Sequence, residues 1–389
     1  MEDTGRPGTE RIGIAAAIAM TTAVGVGLSL TIPLLAIAME LRGIPASMIG
    51  LNSAMAGIAS ISVAPMTPAL LRRFGTAPLL LAAIVVSAIS LMGFWLFQSL
   101  AAWFLLRVFF HSSITIIFIV SEYWIVAAAP DARRGLVMGI YATVLSAGFA
   151  LGPLMLGLFG ASGVWPFATG SLLLLAAAIP LIAAWRMAPV GAGDNQAGFL
   201  RMLLAVPVGT LAGFFFGFIE AGGFSLLPVF ALKSGLSSEA AAGLIAAIAA
   251  GGALLLIPLG HVADRADRRR LLLITAAISA LLIGSLPLLT QHYAALILVL
   301  VLYGGIAGSI YATGLTHIGA RLKGGELAAA NAGFVFMYSC GMLVGPATLG
   351  AAADLWSPSA IPLVLSFVLA FYALIVLWRI VSAKRAARP

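Results

Sequence analysis

Long apolar runs separated by short polar segments dominate this chain. Eight runs of more than 20 residues contain no Asp, Glu, Lys or Arg: 12–39, 43–71, 74–106, 135–185, 240–263, 271–320, 327–353 and 355–378. A helix that crosses a membrane needs about 20 mostly apolar residues. The pattern therefore predicts a membrane protein built from helices, in which some runs hold two spans.

Turn residues divide the longest runs into single spans. Gly160-Ala-Ser-Gly163 with Pro166 splits the run 135–185, and Gln291-His292 splits the run 271–320. A further span is interrupted by Glu220. We predict an all-α membrane protein of twelve transmembrane helices, at 12–39, 46–70, 76–97, 101–128, 135–159, 164–187, 200–232, 239–262, 271–290, 293–320, 328–352 and 359–381. The first helix is long for a signal sequence, so we expect no cleaved signal peptide.

The composition excludes ordinary soluble proteins. Charged residues make up 9% of the 389 residues and hydrophobic residues 62%, with a mean hydropathy of +1.12. A typical soluble domain has about 25% charged residues, so a soluble enzyme or nucleic-acid binder is not expected. The single cysteine, Cys340, excludes an intrachain disulfide or a cysteine metal site, and we expect no metal and no cofactor.

The positions of the basic residues predict the orientation in the membrane. If both termini lie on one side, 18 of the 21 Lys and Arg residues fall on that side. Arg42 and Lys233 fall on the other side, and Arg107 lies inside a helix. Because cytoplasmic loops carry an excess of Lys and Arg, we expect cytoplasmic termini in a bacterial inner membrane. This topology accounts for the net charge of +8 without a nucleic-acid partner.

Two motifs recur at nearly one offset on either side of the turn-rich segment 189–198. A Gly-x-x-x-Gly-Pro-x-x-x-Gly pattern begins at Gly148 and returns at Gly341, and a loop pattern begins at Pro68 and returns at Gly260. The offsets are 193 and 192 residues. Such a repeat predicts two similar six-helix halves. We expect bundles at 1–188 and 200–389, joined by a cytoplasmic linker at 189–199.

These motifs resemble those of the major facilitator superfamily over essentially the whole chain. The family's loop signature is G-x-L-A-D-R-x-G-R-R, and it is followed here by Gly260, Val262, Ala263, Asp264, Arg265, Arg268 and Arg269, with Asp267 in place of the second Gly. In the first half Pro68 and Arg72 replace the Gly and the Asp, whereas Arg73 and Gly75 remain. The Gly-Pro pattern and Ser121-Glu122 are most similar to the drug–proton antiporter side of the family, near the YcaD-like branch.

The resemblance implies a function for each motif. Asp264, Arg265 and Arg269 would form a latch that holds the cytoplasmic side shut, the alternative being charges that only set topology. The second motif consists of Gly148, Gly152 and Pro153, repeated as Gly341, Gly345 and Pro346. Its glycines permit close helix contact and its prolines bend the helix. We expect both helices to pack against partners in the opposite half.

Charged residues inside the membrane are costly and usually functional. Predicted helix four carries Arg107, His111, Thr115, Phe118 and Glu122 within an arc of about 80°. We expect this face to border a water-filled cavity. Glu122, near the cytoplasmic end, would either take part in transport or pair structurally with Arg73 or Arg133.

Glu220 is the carboxylate placed nearest the middle of the membrane, about twelve residues from the outer end of its helix. A carboxylate there can take and release a proton near neutral pH, as a coupling site requires. The alternative is a structural salt bridge to Arg107. Weaker candidates are Thr22, Ser29 and Pro33 on one face of helix one; Glu40, a solvated end charge; His317 and Asn331, which would anchor loops; and Tyr141, Tyr311 and Tyr338, which would line a cavity or pack.

The hypothesis that follows is a monomeric, proton-coupled secondary transporter that exports small, largely apolar molecules. The alternatives are an importer or exchanger of organic anions, with Arg107 and His111 as charge partners, and a lipid flippase. An enzyme or receptor is not expected, because the chain contains no Gly-Lys phosphate-loop pair, no His-Glu-x-x-His and no Gly-x-Ser-x-Gly.

Overall fold

The structure, a computed structural model, describes residues 7–130, 134–189, 207–319 and 324–386, except for a few side chains within these ranges. Helices form nearly all of this part of the chain, and it contains no strand. The helices are α1 (Pro7–Leu41), α2 (Ala46–Val63), α3 (Thr67–Phe74), α4 (Thr76–Leu96), α5 (Leu100–Ala128), α6 (Arg134–Phe159), α7 (Trp165–Ala176), α8 (Ala178–Ala183), α9 (Pro207–Lys233), α10 (Ser238–Arg265), α11 (Arg268–Gly284), α12 (Tyr293–Gly319), α13 (Gly324–Leu355) and α14 (Ala360–Ala386).

The predicted membrane fold of twelve helices is confirmed. Eleven spans in the described ranges are long and apolar enough to cross a membrane, and α6 adds the apolar stretch Thr143–Phe159. Large apolar side chains are also widely exposed; Leu281 and Phe367, for example, are 75% and 70% exposed. Such surfaces suit contact with lipid rather than water.

Prolines account for two of the differences between the predicted and the observed helices. The predicted helix 46–70 is two helices, because Pro65 lies in a turn between α2 and α3 and disfavours helical geometry in the residue before it. The predicted helix 164–187 is divided into α7, α8 and a 3-10 turn, Trp185–Met187. Pro180 has no N–H for the carbonyl of Ala176, where α7 ends.

The two loop motifs lie largely on helices, not in loops. In the first, α3 carries Arg72 and Arg73 in its last turn. Gly75 joins α3 to α4 with a φ of +80°, a conformation that favours glycine. In the second, α10 continues to Arg265, and only Ala266 and Asp267 separate it from α11. The prediction that α10 ends at residue 262 was therefore too short.

The chain divides by its contacts into two compact units. One unit comprises Met1–Leu34 and Ile58–Gly193, and the other comprises Leu35–Gly57 and Asp194–Pro389. The last turns of α1 and the first three turns of α2 thus belong with the second unit. The division of the sequence into bundles at 1–188 and 200–389 stays a prediction.

Candidate functional site

Glu220 lies on α9 in the second unit and is half-buried. The hydroxyl of Tyr338, on α13, donates a hydrogen bond to its Oε2. Tyr303, on α12, is 3% exposed and interacts electrostatically with the Glu220 carboxylate. The Tyr303 hydroxyl is buried and makes no hydrogen bond within the described part of the chain. Tyr338 therefore contacts the carboxylate directly, and the buried phenol of Tyr303 interacts with it electrostatically.

Aromatic rings surround the Glu220–Tyr338 pair. Phe216, one turn before Glu220, stacks on Tyr338 with ring centroids 6.2 Å apart. Tyr311 lies edge-on to Tyr338 at 6.0 Å and also contacts Phe216 at 5.3 Å. Phe334 meets Tyr311 at 5.0 Å. The surroundings of the carboxylate are thus apolar and aromatic, with phenol hydroxyls as the nearby polar groups.

Glycines bring the backbones of α9 and α13 into direct contact. A Cβ at Gly217 would overlap the carbonyl oxygen of Tyr338, and a Cβ at Gly213 would lie 2.7 Å from the carbonyl oxygen of Phe334. In the other direction, a Cβ at Gly341 would lie 2.6 Å from the amide nitrogen of Phe218, and one at Gly345 would overlap backbone atoms of the same residue. The close contact holds Tyr338 next to Glu220.

The first copy of the motif packs in the same way on α1. A Cβ at Gly148 would lie 3.0 Å from Thr22 Cγ2, and one at Gly152 would overlap Ser29 and Leu30. The hydroxyls of Thr22 and Ser29 bond to carbonyls of their own helix. Gly148, Gly152, Gly341 and Gly345 thus each pack on the first helix of their own sequence half, not on the opposite half as expected. The expectation does hold for α13 as a helix, because it also contacts α2 of the first half: a Cβ at Gly50 would overlap the carbonyl oxygen of Pro346, and one at Gly57 would lie 2.7 Å from Leu343 Cα. Pro153 and Pro346 lie inside their helices, which continue past them.

The polar face of α5 is buried within the protein at the Arg107 end and exposed at the Glu122 end. Arg107 and His111 are 1% and 4% exposed, Thr115 is half-buried, and Glu122 is exposed. Thr115 Oγ1 lies 2.9 Å from Ser60 Oγ of α2. The expected water-filled cavity along the whole face is thus wrong for the Arg107 end, because protein atoms cover both side chains there.

Glu122 has a partner that the sequence analysis did not assign to it. The hydroxyl of Tyr141, on α6, donates to Glu122 Oε1 at 3.0 Å. Arg73, one of the two expected partners, instead stacks over Phe74 at 5.3 Å. The other, Arg133, lies outside the described residues. A Tyr–Glu pair thus occurs in both units.

Asp267, the acid that replaces the second Gly of the loop motif, caps the helix that follows it. Asp267 is the N-cap of α11, and its Oδ1 accepts the amide of Arg270 at 2.9 Å. An Asp directly before a helix is a common cap, so the sequence contained this signal. The side chain of Asp264 is outside what the structure describes. Gly260 and Arg265 lie on α10, with Arg265 exposed, and half-buried Arg268 and Arg269 begin α11.

Glu40 is not the solvated end charge that the sequence predicted. Its side chain is 14% exposed and forms an ion pair with Lys233 Nζ at 3.3 Å. Of the other weak candidates, His317 is 5% exposed, and the side chain of Asn331 lies outside the described residues. Within the described ranges, no three His, Cys, Asp or Glu side chains are grouped so that they could hold a metal ion.

The sequence profile of the Major Facilitator Superfamily matches residues 17–256 and 210–389. The chain belongs to this superfamily. Its members are membrane transporters, so this major facilitator is an integral, multi-pass membrane protein that carries out secondary transport.

Related sequences agree with this assignment. The uncharacterized MFS-type transporter YfkF of Bacillus subtilis is 28% identical over 335 residues, which cover 84% of this chain and 85% of the relative. YcaD of Salmonella newport, also an MFS-type transporter, is 23% identical over 310 residues, or 79% and 78% of the two chains. The resemblance of this major facilitator to the YcaD-like branch is confirmed.

Solved structures show the same fold. The nucleoside transporter NupG superposes with a TM-score of 0.71 at 16% identity, over 95% of this chain and 99% of NupG. A D-xylose–proton symporter superposes with a TM-score of 0.74 at 13% identity, over 93% and 96% of the two chains. At these identities the likeness of this major facilitator to them concerns the fold alone.

Proposed function

We propose that this transporter couples proton movement to the export of small, largely apolar molecules, and that Glu220 carries the proton. The observation that supports this is the carboxylate in the interior of α9, hydrogen-bonded by Tyr338 and surrounded by aromatic rings. An ionisable side chain inside the membrane is expensive to keep, so it is retained where it has a use. The D-xylose–proton symporter of the same fold is a precedent for proton coupling.

We infer that each protonation state of Glu220 uses a different phenol as its partner. Tyr338 donates to the charged carboxylate, which stabilises an anion away from bulk water. When Glu220 is protonated, its own O–H needs an acceptor. The Tyr303 oxygen, buried and without a hydrogen bond in the described structure, is suited to that role. A proton could thus bind and leave without stranding a polar group.

The aromatic surroundings favour substrates with apolar surfaces. The rings of Phe216, Tyr311 and Phe334 offer flat, apolar contacts next to the carboxylate. Apolar pockets with a few polar groups are typical of small-molecule sites. Arg107 and His111 are 1% and 4% exposed, and this burial weighs against the organic-anion alternative, in which both side chains would contact the substrate.

The proposed location, orientation and gating of the transporter follow from the distribution of charges and from the motifs in the sequence. We propose a monomer in the bacterial inner membrane with both termini cytoplasmic, following the distribution of Lys and Arg. We also propose that the two sequence halves alternate in access around the substrate, with the α10–α11 junction, including Asp264, Arg265 and Arg269, as the cytoplasmic latch. No cofactor is part of this mechanism.

The test is transport by the purified protein in liposomes that contain a pH-sensitive dye. A panel of small apolar molecules is supplied with and without an imposed pH gradient. Glu220→Gln mimics the protonated state, so it should keep substrate exchange but lose gradient-driven accumulation. Tyr338→Phe should weaken the response to the gradient without abolishing exchange.

The matched control is Glu239→Gln, because Glu239 is an exposed carboxylate in the first turn of α10. It should respond to the gradient as the parent does. If Glu220→Gln also responds as the parent does, the coupling site lies elsewhere and Glu122 is the next candidate. Transport of organic anions that is lost in Arg107→Gln would instead support the anion exchanger.

A further inference from the structure

The face of α14 that points away from the protein core is apolar along most of its length. Four side chains are spaced so that they share this face, and each is more than half exposed: Phe367, Phe371, Leu374 and Trp378. The next residue, Arg379, is also exposed, and its guanidinium lies over the Trp378 ring at 5.1 Å from the centroid. The apolar stripe of α14 therefore ends at a cation.

The neighbouring helix α11 has the same arrangement. Its exposed apolar side chains include Ile274, Ile278 and Leu281. Arg270 lies one turn before Ile274 on the same face and is exposed. Asp267, just before α11, uses one carboxylate oxygen to accept the amide of Arg270, and the sequences of α11 and α14 contain no Asp or Glu. Each helix thus carries an apolar stripe with an arginine at its end.

The two arginines lie at the same end of the helix pair. Helices α12 and α13 separate α11 from α14 in the chain and are each long enough to cross a membrane, so α11 and α14 run in opposite directions. The Ser366 hydroxyl of α14 donates a hydrogen bond to the Ala280 carbonyl of α11 at 2.7 Å. From this contact Arg270 and Arg379 are about 15 and 20 Å away along their helices. Their guanidinium groups therefore lie at similar depths in the membrane.

The first sequence half has an equivalent helix pair with one arginine fewer. Ser171 of α7 donates a hydrogen bond to the Ala88 carbonyl of α4 at 3.1 Å, as α14 does to α11. Trp185-Arg186 matches Trp378-Arg379 at an offset of 193 residues, which is the offset of the glycine motif. The residue 192 positions before the arginine of α11 is Pro78. The arginine pair is therefore not a consequence of the repeat.

We propose that Arg270, Arg379 and the apolar stripes beside them, here called the α11–α14 surface, bind a phospholipid with an anionic headgroup. The two guanidinium groups hold the phosphate, whose oxygens match their paired N–H donors, and the acyl chains cover the stripes. Both arginines belong to the side that carries 18 of the 21 basic residues, which the positive-inside pattern makes cytoplasmic. Basic sites beside membrane helices on that side suit anionic headgroups.

Charge favours a lipid over a second copy of the chain on this surface. Two copies that share one orientation in a membrane are related by an axis along the membrane normal, so a symmetric contact brings residues of equal depth together. A dimer through the α11–α14 surface would place Arg270 and Arg379 of one copy against those of the other. Neither helix has an acid to compensate, and like charges repel. An anionic headgroup neutralises the pair instead.

The test uses the fluorescence of Trp378, which lies beside Arg379. The purified protein is placed in phosphatidylcholine liposomes that contain a rising fraction of brominated phosphatidylglycerol, since bromine quenches tryptophan at short range. Trp378→Phe protein measured in parallel gives the signal of the other tryptophans, and the difference reports the lipid next to Trp378. Brominated phosphatidylcholine is the neutral comparison. We expect phosphatidylglycerol to be preferred about tenfold, or about threefold for each arginine.

Variants separate the two arginines from the general positive charge of the protein. Arg270→Gln and Arg379→Gln should each lower the preference about threefold, and the double variant should remove most of it. Arg270→Lys keeps the charge and should retain most of the preference. The matched control is Arg186→Gln, because Arg186 is exposed and follows a tryptophan without a second arginine. It should leave the preference at Trp378 unchanged.

Four results would overturn the proposal. The first is equal quenching by the two brominated lipids in the parent, and the second is an equal loss of preference in Arg186→Gln and Arg270→Gln. The third is displacement of the lipid by excess glycerol phosphate, which would indicate a site for soluble anions. The fourth is quenching by neither lipid in a protein that single-molecule photobleaching shows to be dimeric, which would assign the surface to a second copy. The measurement needs no substrate and no pH gradient, so its outcome is independent of proton coupling at Glu220.

Discussion

From the contact between α9 and α13 we predict that Gly341→Ala lowers the stability of the protein and also weakens its coupling to protons. The added Cβ would lie 2.6 Å from the amide nitrogen of Phe218 and 3.0 Å from the carbonyl carbon of Gly217. Ordinary carbon contacts are about 3.5 Å, so the helices must part by about 1 Å. The neighbours are backbone atoms and cannot rotate away, so we expect a cost of about 3 kcal/mol, at the upper end for overpacking.

The same displacement reaches the Glu220 site. Tyr338 lies one turn before Gly341 on α13, and its hydroxyl bonds to Glu220. Separation of the helices by about 1 Å takes a hydrogen bond to the edge of its useful range or beyond. We therefore expect Gly341→Ala to lose the response to a pH gradient while substrate exchange persists.

Gly157→Ala is the matched control, because Gly157 is the last glycine of the same motif in α6 and a Cβ there meets nothing within 4 Å. Alanine should stabilise that helix by up to about 1 kcal/mol. Thermal unfolding in detergent should separate the two variants by about 5 °C. Equal melting temperatures and equal gradient responses would show that the α9–α13 contact is looser than the structure indicates.

Three further predictions concern single contacts. Asp267→Ala should lower stability by about 1 kcal/mol through loss of the cap on the Arg270 amide, whereas Asp267→Asn should keep it; equal melting temperatures for the two variants would rule out the cap. Gly75→Ala should cost about 1–2 kcal/mol in thermal unfolding, because its φ is +80°, and an unchanged midpoint would contradict this strain. Glu122→Gln and Tyr141→Phe break one hydrogen bond and should reduce transport alike, so unequal effects would indicate a separate role for Glu122.

The existence of the helices was predictable, because it depends on the local pattern of apolar residues. The residues at which the helices begin and end were less predictable. The apolar runs indicated every span. Pro65 and Pro180 divide two of the predicted spans, and the hydrophobic pattern alone does not show such divisions. The loop motifs were interpreted as loops since turn residues and charges cluster there. In the structure these charges begin or end helices, as Arg73, Arg265 and Arg268 show.

The candidate site was predictable only in part. Glu220 was found because a charge inside an apolar run is visible in sequence. Its partner Tyr338 lies 118 residues away, and nothing in the local pattern distinguishes it from tyrosines that only pack. The pairing of Glu40 with Lys233, and of Asp354 with the start of α2 at a separation of 308 residues, likewise depends on tertiary structure. The cap by Asp267 was different: its position before three arginines was a local signal.

The glycine contact between α9 and α13 also limits how those helices can move. A helix pair joined by side chains can slip, because rotamers rearrange and fill the space that opens. Gly217 and Gly341 have no rotamers, and each faces the partner's main chain. Little side-chain entropy was lost in forming this contact, and no alternative packing is available to it. We therefore expect α9 and α13 to move as one body, so that the motions of transport take place at contacts elsewhere in the chain.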